Sequence, residues 1–238
     1  MAKHRVFNTI FRFKGFTLHQ GNEVFRLGTD AVLLGCWAHL SVQGGPILDV
    51  GTGTGALALM AAQRTSREIL GIDISAESVN LAQKNAKLSP WSSRIRMLEA
   101  SIESFQPEVA PYDILMNPPY FLNHTPNARA DLSSARHGSS DLPMRWFGSP
   151  AFLNMEQGNI HMIIPSSSFL IWEKAWKHHG WFLNRHLRVQ GRYQGPIIRS
   201  VLSLSRTQSR VHMEEMYVYE LNGDRSVGYR NLSAQFYL

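Results

Sequence analysis

The chain has 238 residues, of which 44% are hydrophobic and 18% charged, with 18 Gly and 11 Pro. That composition is globular and excludes disorder, collagen-like structure and coiled coil. Its 24 Lys and Arg against 18 Asp and Glu leave a formal charge of +6, which points to a polyanionic partner.

The first sixteen residues, MAKHRVFNTIFRFKGF, carry Lys3, Arg5, Arg12 and Lys14 with no carboxylate, a local +4, and lack the apolar run of a signal peptide. Residues 16–27 (FTLHQGNEVFRL) read as a short β-hairpin turning at Gln20-Gly21-Asn22. Thr29 or Asp30 then caps a helix through AVLLGCWAHL, too densely apolar for a surface helix, which Gly44-Gly45-Pro46 ends. The run 31–38 is the longest nearly apolar stretch, far short of the ~20 residues that span a bilayer. Cys36 is the single cysteine and cannot form an internal disulfide. A soluble cytoplasmic protein with no membrane partner is expected, and a monomer.

From residue 47 strands alternate with helices. ILDV is a short buried strand, GTGTG a glycine cluster and ALALMAAQRTS a helix; EILGIDIS is a second strand, and Ser75 caps the helix AESVNLAQKNAKLS. RIRMLEA and YDILMN are the third and fourth strands. Residues 121–156 read as a polar loop region, NIHMIIP as a fifth strand and SFLIWEKAWKHHG as a helix. FLNRHLRVQ, RSVLSLSR and EMYVYEL close the chain as β candidates, so the sheet is expected to finish with antiparallel members. This alternation predicts an α/β fold, a doubly wound and mainly parallel sheet with helices on both faces. The domain reading is an N-terminal extension (hairpin and helix) over 1–45 packed on a main domain over 46–238.

Asp49-Val50-Gly51-Thr52-Gly53-Thr54-Gly55 lies between a strand and a helix, where glycines let the backbone approach a ligand. Asp73 ends the next strand, where a carboxylate can accept hydrogen bonds from two ribose hydroxyls. Gly51-x-Gly53-x-x-Ala56 also satisfies the NAD pattern, whereas the Lys of a phosphate-binding loop is missing. Asp49 discriminates: a carboxylate before the glycines repels a pyrophosphate but pairs with a cationic amino-acid moiety. S-adenosylmethionine has such an ammonium and no phosphate, and is favoured over NAD.

Asn117-Pro118-Pro119-Tyr120 follows the fourth strand and so lies at the carboxyl end of the sheet, beside the glycine loop. An exocyclic or amide NH2 is a poor nucleophile because its lone pair is delocalised. The Asn117 side-chain oxygen and the Pro118 carbonyl can each take one N–H and turn the lone pair toward an electrophile. Proline fixes the backbone there, and Tyr120 can stack on a planar substrate drawn out of its base stack. Trp172, Trp176 and Trp181 have near-helical spacing and read as core, while His178-His179 has no cysteine nearby, so no metal is expected.

DVGTGTG, GIDIS and MNPPY together resemble the class I S-adenosylmethionine-dependent N-methyltransferases, which implies a Rossmann-like fold. That group methylates adenine N6, guanine N2 or the glutamine amide of release factors. FTLHQGNEVFRLGTDAVLLGCWA, NPPYF, Ala135-Arg136-His137 and the terminal FYL resemble the bacterial tRNA(Val) adenine-N6 methyltransferase family over nearly the whole chain. The resemblance implies tRNA as partner, the adenosine at position 37 as target, and S-adenosylmethionine as cofactor. Residue by residue it implies that Asp49, Gly51, Gly53 and Gly55 hold the methionine end and Asp73 the ribose. Gly28, Thr29 and Asp30 match a segment that closes over the cofactor, and Pro119, Phe121, Arg136 and His137 belong to the substrate side. Ser101 stands where many relatives carry an Asp toward the adenine amino group; it accepts a hydrogen bond without charge assistance. Release-factor enzymes carry a substantial helical domain before the glycine loop, and this chain has only about 45 residues there. The other rival reading is an RNA-binding module that keeps the fold without turnover.

Residues 174–212 hold Lys174, Lys177, Arg185, Arg188, Arg192, Arg199, Arg206 and Arg210 with no carboxylate, a local +8, leaving −6 for the rest once the N-terminal +4 is set aside. Both motifs lie in that acidic remainder. The two basic segments are therefore the candidate phosphate grips, Arg188 and Arg192 foremost.

Overall fold

The computed structural model of the chain describes residues 10–21, 27–119 and 141–237. Strands β1 (Ile10–Arg12) and β2 (Thr17–His19) pair antiparallel, Phe11 opposite Leu18. Thr17–His19 thus pairs with the residues before it, and the predicted turn at Gln20-Gly21-Asn22 runs into residues 22–26, which lie outside the described residues. The aromatic spacing decides this. The Phe13 amide donates to the Phe16 carbonyl at 2.9 Å, and their rings stack at 4.4 Å, closing the turn through Lys14-Gly15.

The remaining strands form one eight-stranded sheet. They are β3 (Ile47–Val50), β4 (Ile69–Asp73), β5 (Ile95–Glu99), β6 (Asp113–Met116), β7 (Asn159–Pro165), β8 (Phe182–Arg192), β9 (Ile197–Ser205) and β10 (His212–Tyr219), in the order β10-β8-β9-β7-β6-β3-β4-β5. Five of them, β5 through β7, are parallel neighbours. The expected antiparallel pairings are β7 with β9 and β9 with β8. The edge strand β10 then pairs parallel to β8, so β9 alone runs against the sheet.

Period-two alternation divides the strand side chains between two cores. Ile47, Ile69, Leu115, Ile163 and Val201 face α1 (Thr29–Trp37), α2 (Ala56–Arg64) and α7 (Val227–Ser233); Leu48, Ile72, Ile114, Met162 and Leu202 face α4 (Leu142–Phe147), α5 (Pro150–Leu153) and α6 (Phe169–His178). The helix α3 (Ala76–Lys87) contributes Ala86 to the first core, which also takes Phe13, Phe16 and Leu18 from the hairpin. Trp172, Trp176 and Trp181 are fully buried in the second, as their spacing predicts.

Two boundaries differ from expectation. The N-cap of α1 is Gly28, without a side-chain cap bond, so Thr29 and Asp30 lie inside the first turn; the helix stops at Trp37, before Leu40. Part of the polar stretch 121–156 is helical: α4 and α5 each begin with a proline in the first turn and are too short for periodicity to register. No helix among the described residues is long and apolar enough to cross a membrane, and no group of three metal-ligating side chains occurs among them.

Candidate active site

Strand register assembles the site. Val50 pairs with Ile72 on one side and Met116 on the other. The next residue on each of these three adjacent strands is therefore Asp73, Gly51 and Asn117, which leave the carboxyl edge side by side, roughly 5 Å per strand step. Both residue sets that sequence motifs single out thus meet at one edge. Pro118 is buried and Pro119 exposed, while Tyr120, Phe121, Arg136 and His137 lie outside the described residues.

The glycine loop takes its shape from left-handed backbone, with φ of +69° at Gly51, +54° at Gly53 and +81° at Gly55. The Gly51 and Thr52 amides both donate to the Ile72 carbonyl at 2.9 Å, which pins the loop to β4. A Cβ at Gly51 would meet no atom within 4 Å, so the surface above that peptide is open to a ligand, whereas one at Gly55 would press on Ala82 at 3.2 Å. Only the last glycine is therefore needed for helix packing.

Asp49 is fully buried beneath this loop. Its Oδ2 accepts the Thr52 hydroxyl at 2.7 Å and the Ala58 amide at 3.1 Å; its Oδ1 is buried without a partner. Burial pushes the carboxyl up to about 7, against the two hydrogen bonds that lower it, and the Asp73 charge adds to the rise. A buried acceptor oxygen without a donor calls for one. An ammonium group from a ligand supplies both the hydrogen bond and the countercharge, so the donor set fits the amino-acid end of S-adenosylmethionine.

Asp73 holds the other side of the loop: Oδ2 accepts the Gly53 amide at 2.9 Å and Oδ1 the Ser75 amide at 3.0 Å. Each oxygen keeps a second lone pair for a ribose hydroxyl. The Ala100 amide donates to the Asp73 carbonyl at 2.9 Å, which brings Ser101 alongside the end of β4; the Ser101 hydroxyl already accepts the Glu103 amide at 3.3 Å.

The model of a methyltransferase domain family matches residues 47–137. The tRNA1(Val) (adenine(37)-N6)-methyltransferase of Vibrio campbellii is 30% identical over all of this chain and 99% of that protein. The enzyme of the same name from Tolumonas auensis is 33% identical over 96% of both chains. The chain belongs to this methyltransferase family. Solved structures agree on the fold: an Agrobacterium tumefaciens protein described as a predicted O-methyltransferase superposes with a TM-score of 0.63 over 87% of this chain and 96% of its own, at 19% identity. The Pyrococcus abyssi tRNA (uracil-54, C5)-methyltransferase in complex with S-adenosyl-L-homocysteine gives 0.56 over 83% of this chain and 44% of its own, at 15% identity.

Within this family member, Asp30 forms an ion pair with Arg199 of β9, Nε to Oδ2 at 2.9 Å, which fixes the Gly28-Thr29-Asp30 segment to the sheet. Sequence reasoning assigned Arg199 to the basic surface and missed this role. It also missed Asn85 and Gly71. Asn85, fully buried in α3, exchanges two 2.9 Å hydrogen bonds with the His19 backbone and donates a third, also 2.9 Å, to the Thr54 carbonyl, so it ties the hairpin to the glycine loop. No local signal marks Asn85, since the buried face of α3 also carries the polar Ser78. A Cβ at Gly71 would lie 2.8 Å from the Thr52 hydroxyl and against Met97, so glycine in β4 makes room for the loop.

Arg188 and Arg192 lie on β8. Val189 shares its sheet row with Arg199 and Pro165. Arg188 is thus near the level of Pro118, three strand steps or roughly 14 Å from β6. It is half-exposed and paired with Glu215 at 3.1 Å. Arg192 is exposed at the strand's end.

Proposed function

We propose that the chain transfers a methyl group from S-adenosylmethionine to N6 of an adenosine in tRNA, adenosine 37 of tRNA(Val), as the names of its relatives imply. The observation that carries the reading is the emergence of Asp73, Gly51 and Asn117 on three adjacent strand ends. That arrangement brings a cradle suited to an ammonium and a ribose beside a pair of acceptors suited to an amino group. Residues 1–45 serve as an extension that braces the cradle, through Asn85 and through Asp30.

The cofactor supplies an electrophilic methyl group on a sulfonium. The chain contributes position and electrostatics. Asp49 and Asp73 fix the two ends of the cofactor, and Ile74, 77% exposed directly after Asp73, offers an apolar wall for the adenine ring. The Asn117 side-chain oxygen and the Pro118 carbonyl each accept one N6 hydrogen, so the nitrogen lone pair turns out of the ring's conjugation and toward the methyl carbon. Tyr120 stacks on the flipped base. Holding both reactants in line supplies most of the acceleration. With the cofactor held by Asp49 and Asp73, the N6 lone pair presented by Asn117 and Pro118 would take its methyl group, the displaced electron pair staying with the cofactor, and the proton lost from N6 would pass to water.

The test is an Asn117→Ala protein assayed with tritiated cofactor and total tRNA, followed by mass spectrometry of the digested nucleosides. Loss of methyladenosine with cofactor binding intact is expected. Undiminished transfer, or label recovered on a release factor and not on RNA, would overturn the reading.

A further inference from the structure

The β8–β9 hairpin continues past the edge that bears the active site. Its tip is tied down: the Gly195 amide donates to the Arg192 carbonyl and the Tyr193 amide to the Tyr219 carbonyl of β10, both at 2.9 Å. Gln194 adopts φ +57°, the only left-handed non-glycine among the described residues. Gln194 is the third residue of the turn that the Gly195–Arg192 bond closes, a place where positive φ is ordinary.

Beneath the tip lies a groove of about 380 Å³, lined by Gln190, Tyr193, Gln194, Glu215, Tyr217 and Ser226. The Tyr193 and Tyr217 rings are in tilted contact, 5.0 Å apart and inclined at 60°, and Tyr193 is 43% exposed, so its outer face is free to stack. Ser226 donates its hydroxyl to the Tyr217 carbonyl at 2.5 Å and so steadies that side of the groove. Two amides and a carboxylate face the same space as the rings, and Arg188 and the exposed Arg192 flank it. Stacking surface, hydrogen-bonding edge groups and flanking cations together match one nucleotide of single-stranded RNA.

We propose that this groove binds an unstacked nucleobase of the RNA substrate at a second position, distinct from the methylated base. The inference rests on the tRNA reading above. Counting strand steps and residues from Asn117 places the groove on the order of 20 Å from the reacting atoms, so it cannot hold the target base itself. It reads the same RNA farther along the strand and sets how the loop lies over the active-site edge. A base stacked there adds affinity and register and no chemistry, so its loss should appear in the KM for tRNA and not in kcat.

The experiment compares wild type, Tyr193→Ala, Tyr193→Phe and Gln194→Gly in three measurements: affinity for total tRNA across a salt series, affinity for the cofactor, and methyl transfer. Tyr193 is exposed and Gly suits the Gln194 backbone, so both sites tolerate change without unfolding. Tyr193→Ala should weaken tRNA binding by about 5- to 100-fold and raise KM in parallel, with cofactor affinity and the salt slope unchanged. Tyr193→Phe should restore most of the affinity, and Gln194→Gly should fall between. Arg192→Ala should instead lower the salt slope by about one. Wild-type tRNA affinity in both Tyr193→Ala and Gln194→Gly would overturn the groove and leave the methylation reading standing. Wild-type protein that binds tRNA without methylating it, while Tyr193→Ala binds it more weakly, would overturn the methylation reading and leave the groove.

Discussion

Asp49→Asn is expected to make the cofactor-free protein more stable while abolishing cofactor binding. The Asp49 carboxyl is fully buried, with one oxygen hydrogen-bonded to Thr52 and Ala58 and the other without a partner, and burial raises it from 3.8 to about 7. An acid raised on folding stabilises the folded state most below its unfolded value. That contribution is lost as pH climbs from about 4 through 7, and the whole shift is worth roughly 4 kcal/mol. At pH 8 the cofactor-free protein therefore carries a buried, half-satisfied charge. The amide oxygen of Asn can still accept from Thr52 and Ala58, and its NH2 occupies the position of the orphaned oxygen without charge. A gain of about 1–3 kcal/mol at pH 8 follows, and roughly 2–4 °C in Tm for each kcal/mol in a chain of this size. Binding behaves in the opposite way. In the wild type only the ionised carboxylate pairs with an ammonium, so cofactor affinity at pH 6 should lie about tenfold below its alkaline plateau, which is nearly reached at pH 8. Calorimetry in two buffers of different ionisation enthalpy should register proton release at pH 6. Flat affinity between pH 6 and 8, or an Asp49→Asn protein less stable than wild type at pH 8, would refute the reasoning.

Three further perturbations test the supporting shell. Asn85→Ala removes the partners of the His19 backbone and the Thr54 carbonyl; a loss of about 2–4 kcal/mol in chemical denaturation and weaker cofactor binding are expected. Asp113→Asn breaks the buried pair with Arg67 at the amino edge of the sheet, beside His161; a destabilisation of about 3–5 kcal/mol with cofactor affinity unchanged below the melting range is expected, since the site lies at the opposite edge. Arg188→Glu with Arg192→Glu should weaken tRNA binding and flatten its salt dependence in filter binding while leaving cofactor calorimetry intact; an equal drop in both would make those arginines structural.

The elements most legible in the sequence are those whose hydrophobic pattern and punctuation agree. ILDV followed by glycines, EILGID followed by a Ser cap, and YDILM followed by NPP each predict a strand, and each strand lies where expected. Ser75 caps α3 by accepting the Ser78 amide at 3.2 Å, the one side-chain cap that reading named correctly. What local pattern could not show were long-range commitments. Thr17–His19 reads as a strand, but its pairing with Ile10–Arg12, closed by the Phe13–Phe16 stack, has no turn signal as strong as the Gly21-Asn22 that follows it. Thr29 and Asp30 look like caps because that is their commonest use at a helix start, but Asp30 is committed to Arg199, 169 residues away. Asn85 and Gly71 matter through contacts to residues remote in sequence, and no window around either reveals them.

Charge segregation changes meaning for the same reason. The stretch 174–212 has no carboxylate of its own, but its neighbours in the sheet supply them: Arg185 pairs with Glu214 at 2.8 Å and lies over Trp37, Arg188 pairs with Glu215, and Arg199 pairs with Asp30. Arg206 donates to the Phe152 and Met155 carbonyls and covers Trp181. Lys177 pairs with Glu173 one helical turn away, an exposed contact of little energy. Among the described residues Lys174, Arg192 and Arg210 remain without an ion pair. Arg185, Arg199 and Arg206 are therefore fold-holding charge, and the part of the local +8 open to a phosphate is smaller than counting implies. The grip on RNA proposed above therefore rests on a few cations and on geometry, Arg192 beside Tyr193 at the hairpin tip among them.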